Sequence, residues 1–333
     1  MILIFTNKED THPTPVIQHL VSWGVPFFRF NTESLLTDYV FRWWQNNGDI
    51  DFYLKNIINN TEIYGHEVTA VWERRPLPPS LIPIICPEEI QKYCLEEAHE
   101  FLSFLRYYLK DTFSIGSIVN DRYAASKMLQ AKTAIECGFK VPKTLYTNSK
   151  EDLASIFYNN EYLAIKPISV DSLFYEDKEY VFYVNKHKTT HVISQPHEAF
   201  SMTASCIQEY IEKQYELRIT VCCDGIVACK IDSQKQSSGK GKEDWRQGYD
   251  YGLIHEIITI PRALEDACKL YLQRMGLVFG CFDIIVTPQN EYFFLECNPN
   301  GQWYWIELET GADISGMIAK SLANPQLPNI DLL

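Results

Sequence analysis

Apolar and polar positions change period several times along this chain, and each change marks an element. Ile2–Thr6 and residues 26–30 are apolar runs of strand length, separated by a helical stretch near 14–23. Residues 38–72 alternate in short strand-like pieces ending in Val68-Thr69-Ala70-Val71-Trp72. Ile90, Cys94, Ala98, Phe101, Leu102, Leu105 and Leu109 then recur at helical spacing. They predict one long amphipathic helix over 88–110, its stripe facing a core or a dimer partner. Asn120-Asp121 predicts an Asx cap opening a helix from Arg122 to Cys137, which Gly138 ends before a strand begins at 141–144. Another strand is expected at 162–167, with 180–184 and 191–194 completing a small antiparallel sheet. Further on, the pattern gives strands at 206–211, 217–223 and 226–232, a hairpin over 281–296, and helices near 262–275 and 312–322. Residues 233–248, rich in Ser, Gly, Lys and Gln, carry no period and predict a long mobile loop.

At 333 residues the chain exceeds one small core. Its pattern divides at 1–115, 116–204 and 205–333, within an α/β (α+β) class. A hydrophobic content of 46% with 14% aromatics is that of a packed globular protein. A net charge of −13 and a pI near 5.1 exclude the basic face of a nucleic-acid binder. The 10 cysteines form no Cys-x-x-Cys pair, and Cys222, Cys223 and Cys281 sit in apolar runs, so free thiols in a reducing compartment are expected. Met1–Thr6 lacks a basic n-region, and no apolar run approaches the roughly 20 residues that span a bilayer. A soluble cytoplasmic protein without a membrane partner is expected.

The chemistry concentrates late in the chain. Cys281–Val286 is an apolar strand carrying a single Asp283, Thr287–Asn290 is a turn signal, and Glu291–Glu296 returns. With a loop at 288–291, Asp283 falls opposite Glu296, and alternation puts Asn298 on the same side as Glu296. Two carboxylates and an amide oxygen suit Mg²⁺, although an ordinary hairpin with an exposed polar face would read the same way. Lys166 ends an apolar strand, where an ammonium serves as a point charge on phosphate or is simply exposed. Lys127 is equally open. Gln208-Glu209-Tyr210-Ile211-Glu212 joins two sheets, and its backbone at Glu209 and Ile211 could meet an adenine edge. Glu216 and Arg218 share one side of the next strand, either as a structural ion pair or as a ribose ligand and a charge stabiliser. His12 is the one histidine on a loop that could face a site; loop histidines are usually solvated.

The order decides among these readings. Helix lysine, strand lysine, hinge, Glu-x-Arg, then Asp with Glu-x-Asn resembles the ATP-grasp pattern over 116–318. The whole chain resembles the graspetide (microviridin-type) peptide maturases, most of all the grasp-with-spasm branch. The residues carrying this are Trp72-Glu73-Arg74-Arg75-Pro76, Ser114–Ser117, Gly138–Thr144 and Phe294–Glu307, with Asp244-Trp245-Arg246 in the loop. One departure is the helix opening, where Asn120 is followed by Asp121-Arg122 instead of lysine.

The resemblance implies an ATP-grasp fold behind an N-terminal pre-ATP-grasp domain. It implies ATP held by Lys127, Lys166, Glu209, Tyr210, Ile211 and Glu216, with Mg²⁺ on Asp283, Glu296 and Asn298. It further implies a ligase that phosphorylates Asp or Glu side chains of a ribosomal precursor peptide (leader plus acidic core) and closes ω-ester or ω-amide rings, and it implies a homodimer. Arg218 would stabilise the tetrahedral intermediate. As the available clusters of positive charge in an acidic chain, Arg74, Arg75 and Arg246, with Lys235, Lys240 and Lys242, would receive the peptide's carboxylates, a solvated charge run being the alternative, above all for the three lysines. Two alternatives stand beside this reading: a carboxylate–amine ligase adding a free amino acid, and a non-catalytic protein that binds nucleotide and peptide.

Overall fold

A computed structural model describes residues 1–80, 87–169, 172–235 and 241–325, without the side chains of 118–119 and 249–251. Ile2–Thr6, Phe27–Asn31, Ala70–Glu73 and Phe113–Ile115 form a parallel sheet in which Ile2–Thr6 pairs with both Phe27–Asn31 and Ala70–Glu73. Both faces of such a sheet are covered, so its central strand Ile2–Thr6 is buried at every position. Leu3 and Phe5 pack against Ala98, Leu102 and Leu105 of the helix Glu88–Tyr108. Ile2 and Ile4 point the other way, toward Val16 and Leu20 of the helix Pro13–Ser22. The long helix therefore spends the part of its expected stripe from Ala98 onward on its own sheet and on the hairpin Tyr39–Asn46/Asp49–Asn56, where Trp43 packs against Phe104, while Ile90 stays exposed.

The second sheet is antiparallel, in the order Asn185–Lys188, Tyr162–Lys166, Ser205–Glu209, Thr144–Thr147. Two expectations fail here. Residues 191–194 belong to a helix, Thr189–Ser194, that buries Val192 against Leu153, Phe157 and Phe200. A four-residue apolar run cannot be told from a buried helical turn by its period. The stretch near 180 instead forms a separate two-stranded ribbon, Ser172–Tyr175 with Lys178–Val181.

The predicted helix from Arg122 to Cys137 is two helices, Ile118–Ala124 and Lys127–Glu136, with Ser117 and Ser126 at the N-cap positions. Asn120 lies inside the first helix, and its side chain donates to the carbonyl of Gly276 at 3.2 Å. The break is filled by Gln130, whose amide donates to the freed carbonyl of Ala124 at 2.7 Å. Lys127 thus opens its own helix directly after Ser126 at the N-cap position.

The third sheet has five antiparallel strands in the order His255–Ile258, Gly225–Ile231, Tyr215–Cys222, Phe279–Val286, Tyr292–Asn298. His255–Ile258 and the helix Tyr304–Thr310 are additions to the predicted set. Of the expected loop 233–248, Ser233–Lys235 and the segment from Trp245 form 3₁₀ turns, while residues 236–240, including Lys240, lie outside the described residues. One buried cluster joins Ile2, Ile4, Trp72 and Phe113 of the first sheet to Cys281, Trp303, Ile306 and Ile318 of the last. The two ends of the chain share a core, which ties the N-terminal sheet to the loop after Asn298. The described cysteines are all free. Among the described residues, no helix is long and apolar enough to cross a membrane.

Candidate active site

The hairpin Phe279–Val286/Tyr292–Asn298 builds the floor of the site. Near its turn Val286 pairs with Tyr292, a register that on its own would set Leu295 opposite Asp283. A β-bulge between Asp283 and Ile284 shifts it by one, and Asp283 comes to face Glu296. The expected pairing is present, but by a different route from the plain 288–291 loop: the turn is one residue shorter and Leu295 is the extra residue. Bulges re-aim side chains in this way beside sites. Phe294 remains in the core, whereas Leu295, Glu296 and Asn298 line a cavity of about 840 Å³.

That cavity lies between the second and third sheets. It is lined by Lys166, Glu209, Tyr210, Ile211, Lys213 and Glu216, and also by Arg75, Asp121, Arg122, Arg246, Gln302 and Trp305. Its size is in the roughly 300–1,000 Å³ range of small-molecule sites. Lys127 Nζ lies 3.5 Å from Glu296 Oε2. Burial works to raise the pKa of Glu296, yet Lys127 and Lys166 outweigh it and hold the carboxyl below its usual range. Burial lowers the pKa of Lys166, opposed by the charges of Glu296 and Asp283 among others. On the opposite strand, burial pushes Asp283 up and Glu296 adds to it, against the pull of Arg218.

Asn298 donates from its side-chain nitrogen to Asp283 and to Glu296, at 3.2 Å each. Turning that amide over would set its oxygen at the same point, facing two carboxylates. Among the described residues no group of three or more His, Cys, Asp or Glu gathers for a metal, so the donor set is two carboxylates and one amide. Such a set, leaving positions to water and phosphate, fits Mg²⁺.

Arg218 holds Asp283 with Nη1 at 2.9 and 2.8 Å from its two oxygens and donates from Nη2 to the carbonyl of Gln302 at 3.1 Å. Its Nε is buried without a hydrogen-bond partner. The close approach requires glycine at 301, because a Cβ there would lie 2.8 Å from Arg218 Nη2 and 2.5 Å from Cys281 Cβ. Glu216 is spoken for: Lys213 Nζ and Ser233 Oγ each donate to it at 2.5 Å. The side chain of Glu209 accepts from the backbone N–H of Lys143 and from Asn160, which leaves its backbone as the hinge element. Tyr210 lies on the same linker, its ring 4.2 Å from Lys186 Nζ.

Arg74 needs correcting as a receiver of peptide carboxylates. It is 1% exposed, and it donates to Asp10 at 3.1 Å, to Asn300 Oδ1 at 2.7 Å and to the carbonyls of Asn300 and Gly301 at 2.9 and 3.0 Å. It is a strut that fixes the loop after Asn298 to the first sheet. Burial lowers its pKa to about 10, still charged at neutral pH. Arg75, by contrast, is exposed and lines the cavity. His12 is not solvated either: it bonds Asp10 at 2.8 Å and packs edge-on against Trp303, whose ring is 5.3 Å away. Arg246 pairs with Asp244 at 2.6 Å and lies over the Tyr183 ring. Lys235 pairs with Asp232, and Lys242 is exposed.

Sequence reasoning missed Lys213, Asp121, Asn300 and Gln130. Gln130 clamps Cys297, accepting its N–H at 3.1 Å and donating to its carbonyl at 2.8 Å. Nothing in the sequence marks Gln130, whose burial and partners appear only in the fold.

Residues 1–122 match the model of the MvdD pre-ATP-grasp domain, and residues 120–322 match that of the RimK-like ATP-grasp domain. The chain belongs to the RimK-like ATP-grasp family, an ATP-grasp ligase behind a pre-ATP-grasp domain. Among solved structures it is similar to a Chryseobacterium gregarium RiPP-associated ATP-grasp ligase in complex with ADP and a leader and core peptide. That match has a TM-score of 0.87 and 25% identity, over 98% of this chain and 97% of the other. It is also similar to the macrocyclase MdnC bound with precursor peptide MdnA from Microcystis aeruginosa MRC, with a TM-score of 0.80 and 25% identity over 97% and 99% of the two chains. The ligase PsnB, complexed with a minimal precursor variant, Mg and ADP, shares the fold at a TM-score of 0.74 and 19% identity, over 97% of each chain. No curated protein sequence matches the chain.

Proposed function

We propose that this chain is an ATP-dependent macrocyclase that joins Asp or Glu side chains of a ribosomal precursor peptide to a hydroxyl or amine of the same peptide. The observation that carries the reading is one cavity lined by two lysines, a linker backbone and the Asp283–Glu296–Asn298 set, together with Arg75, Arg122 and Arg246. Similarity to ligases bound to ADP with leader and core peptide, and to a precursor peptide, supports a nucleotide and a peptide as the occupants proposed for that cavity.

In this reading the adenine lies against the backbone of Glu209, Tyr210 and Ile211, with Glu216 and Lys213 beside the ribose. Lys127 and Lys166 neutralise phosphate charge, offsetting repulsion between an anionic carboxylate and an anionic triphosphate. Magnesium, when bound by Asp283, Glu296 and Asn298, would neutralise phosphate charge and orient the γ-phosphoryl group. A peptide carboxylate oxygen bonds to the γ-phosphorus and ADP leaves, which converts a poor acyl donor into an acyl phosphate. Arg218, held by Asp283 and the Gln302 carbonyl, stabilises the negative charge on the carbonyl oxygen in the second step. Arg75 and Arg246 receive the acidic core, a local positive charge within a chain of net charge −13.

The boundaries 1–115, 116–204 and 205–333, a cytoplasmic location and a homodimer belong to the same proposal. For the dimer, Ile90, Tyr93 and Tyr107 remain exposed on the long helix.

Lys166→Met is expected to raise the KM for ATP by about 10- to 100-fold, the loss of a charge-assisted contact. Steady-state ATPase measurements with peptide present check this, and an unchanged KM would remove Lys166 from the phosphate site. Arg246→Ala is expected to lower cyclisation while ATP affinity stays native. An unchanged product profile by mass spectrometry would take Arg246 out of the peptide site.

A further inference from the structure

The cavity holds one carboxyl group that the proposed reaction does not yet use. Asp121 lines it together with Asp283 and Glu296 but bonds to Ser117 and Asn300. It is positioned from two sides: the backbone N–H of Ser117 donates to Oδ1 at 3.3 Å, and Asn300 Nδ2 donates to Oδ2 at 3.2 Å. Asn300 is itself fixed, giving its other Nδ2 hydrogen to the carbonyl of Glu73 at 3.0 Å and accepting Arg74 on Oδ1 at 2.7 Å. Backbone sterics hold the Ser117 side in place. Gly116 has φ +73°, and a Cβ there would lie 2.5 Å from the Glu73 carbonyl oxygen, so the turn delivering Asp121 tolerates no side chain. Among the described residues, neither oxygen has a cation within salt-bridge distance. Asn300 follows Asn298 by two residues, so the same loop that carries one proposed magnesium ligand also bonds this carboxyl.

We propose that Asp121 is the proton acceptor for the peptide's nucleophile during ring closure. The inference rests on the macrocyclase reading. The hydroxyl or amine attacks the carbonyl carbon of the acyl phosphate, and the new C–O or C–N bond forms. The bond to phosphate breaks with its electron pair leaving on phosphate, and the proton from the nucleophile passes to the Asp121 carboxylate. A general base works best when its pKa is near the working pH. Burial raises that of Asp121 to about 7, against the hydrogen bonds from Ser117 and Asn300, with Glu73 raising it further and Arg74 lowering it. The exposed Arg122, next to it in sequence, and Arg75 also line the cavity.

The experiment separates the two half-reactions. The peptide encoded beside this chain is incubated with enzyme, ATP and Mg²⁺, with and without hydroxylamine. Hydroxylamine traps the acyl phosphate without help from a base. In Asp121→Asn, hydroxamate formation should stay near native while ring closure falls by about 10²- to 10⁴-fold. The native closure rate should rise with pH through about 7, where the carboxylate form becomes dominant, and the variant should lose that rise. Asp121→Glu should recover part of the rate and the pH dependence. Native closure by Asp121→Asn, or an unchanged pH profile, would overturn the inference. So would an equal fall in hydroxamate and rings, which would make Asp121 a structural support of the loop. If the native enzyme forms neither ADP nor hydroxamate, the macrocyclase reading fails and this inference falls with it.

Discussion

Glu296→Gln is expected to lower cross-link formation by about 10³-fold or more, because it strikes charge and coordination together. The amide keeps the shape of the side chain, so the hairpin and its bulge persist. What is lost is the ionised oxygen facing Lys127 at 3.5 Å, and with it the counter-charge to two lysines in one buried site. A neutral oxygen is also a poorer ligand for a hard divalent cation. ADP production in the presence of peptide, measured across a magnesium titration, checks this. The variant should need far more magnesium and still turn over slowly, and activity within tenfold of native would show that Glu296 is not a ligand.

Arg218→Ala should be the most damaging substitution for the fold around the site. It leaves the half-buried Asp283 without the guanidinium that holds both its oxygens and directly opposite Glu296; breaking a fully buried pair from one side costs about 3–5 kcal/mol, the upper bound here. Arg218→Lys separates stability from chemistry. A lysine restores positive charge but cannot hold both Asp283 oxygens and the Gln302 carbonyl with one planar fork. The lysine variant is expected to fold close to native, by denaturant midpoint, while ring closure drops about 10²- to 10³-fold. Native ring closure in the lysine variant would mean that Arg218 only neutralises Asp283.

The parts of this site that could be read from sequence are those where a charged residue interrupts an apolar strand. Asp283 and Lys166 stand out because nothing else in their segments explains a charge, and Glu-x-Asn follows the alternation of a strand. The bulge at Leu295 had no such mark, since Phe294 and Leu295 are both apolar and either could face the core. Arg74 and Arg75 are identical letters side by side. Only the tertiary position of Asn300 and Gly301 makes the first a buried strut and leaves the second in the cavity. The helix break at 125–126 was hidden because Gln130, which satisfies it, reads as an ordinary helix residue. Thr189–Ser194 was misread because so short an apolar run carries no period of its own.

The central claim is that this enzyme closes rings on a peptide at the expense of ATP, and intact mass tests it most directly. The peptide encoded beside the chain would be co-expressed with the native enzyme and weighed against the peptide expressed alone. The account predicts a mass lower by one water per ring, in whole-number steps. A gain of amino-acid residue masses, or an unchanged mass from an enzyme that binds ATP and that peptide, would contradict it.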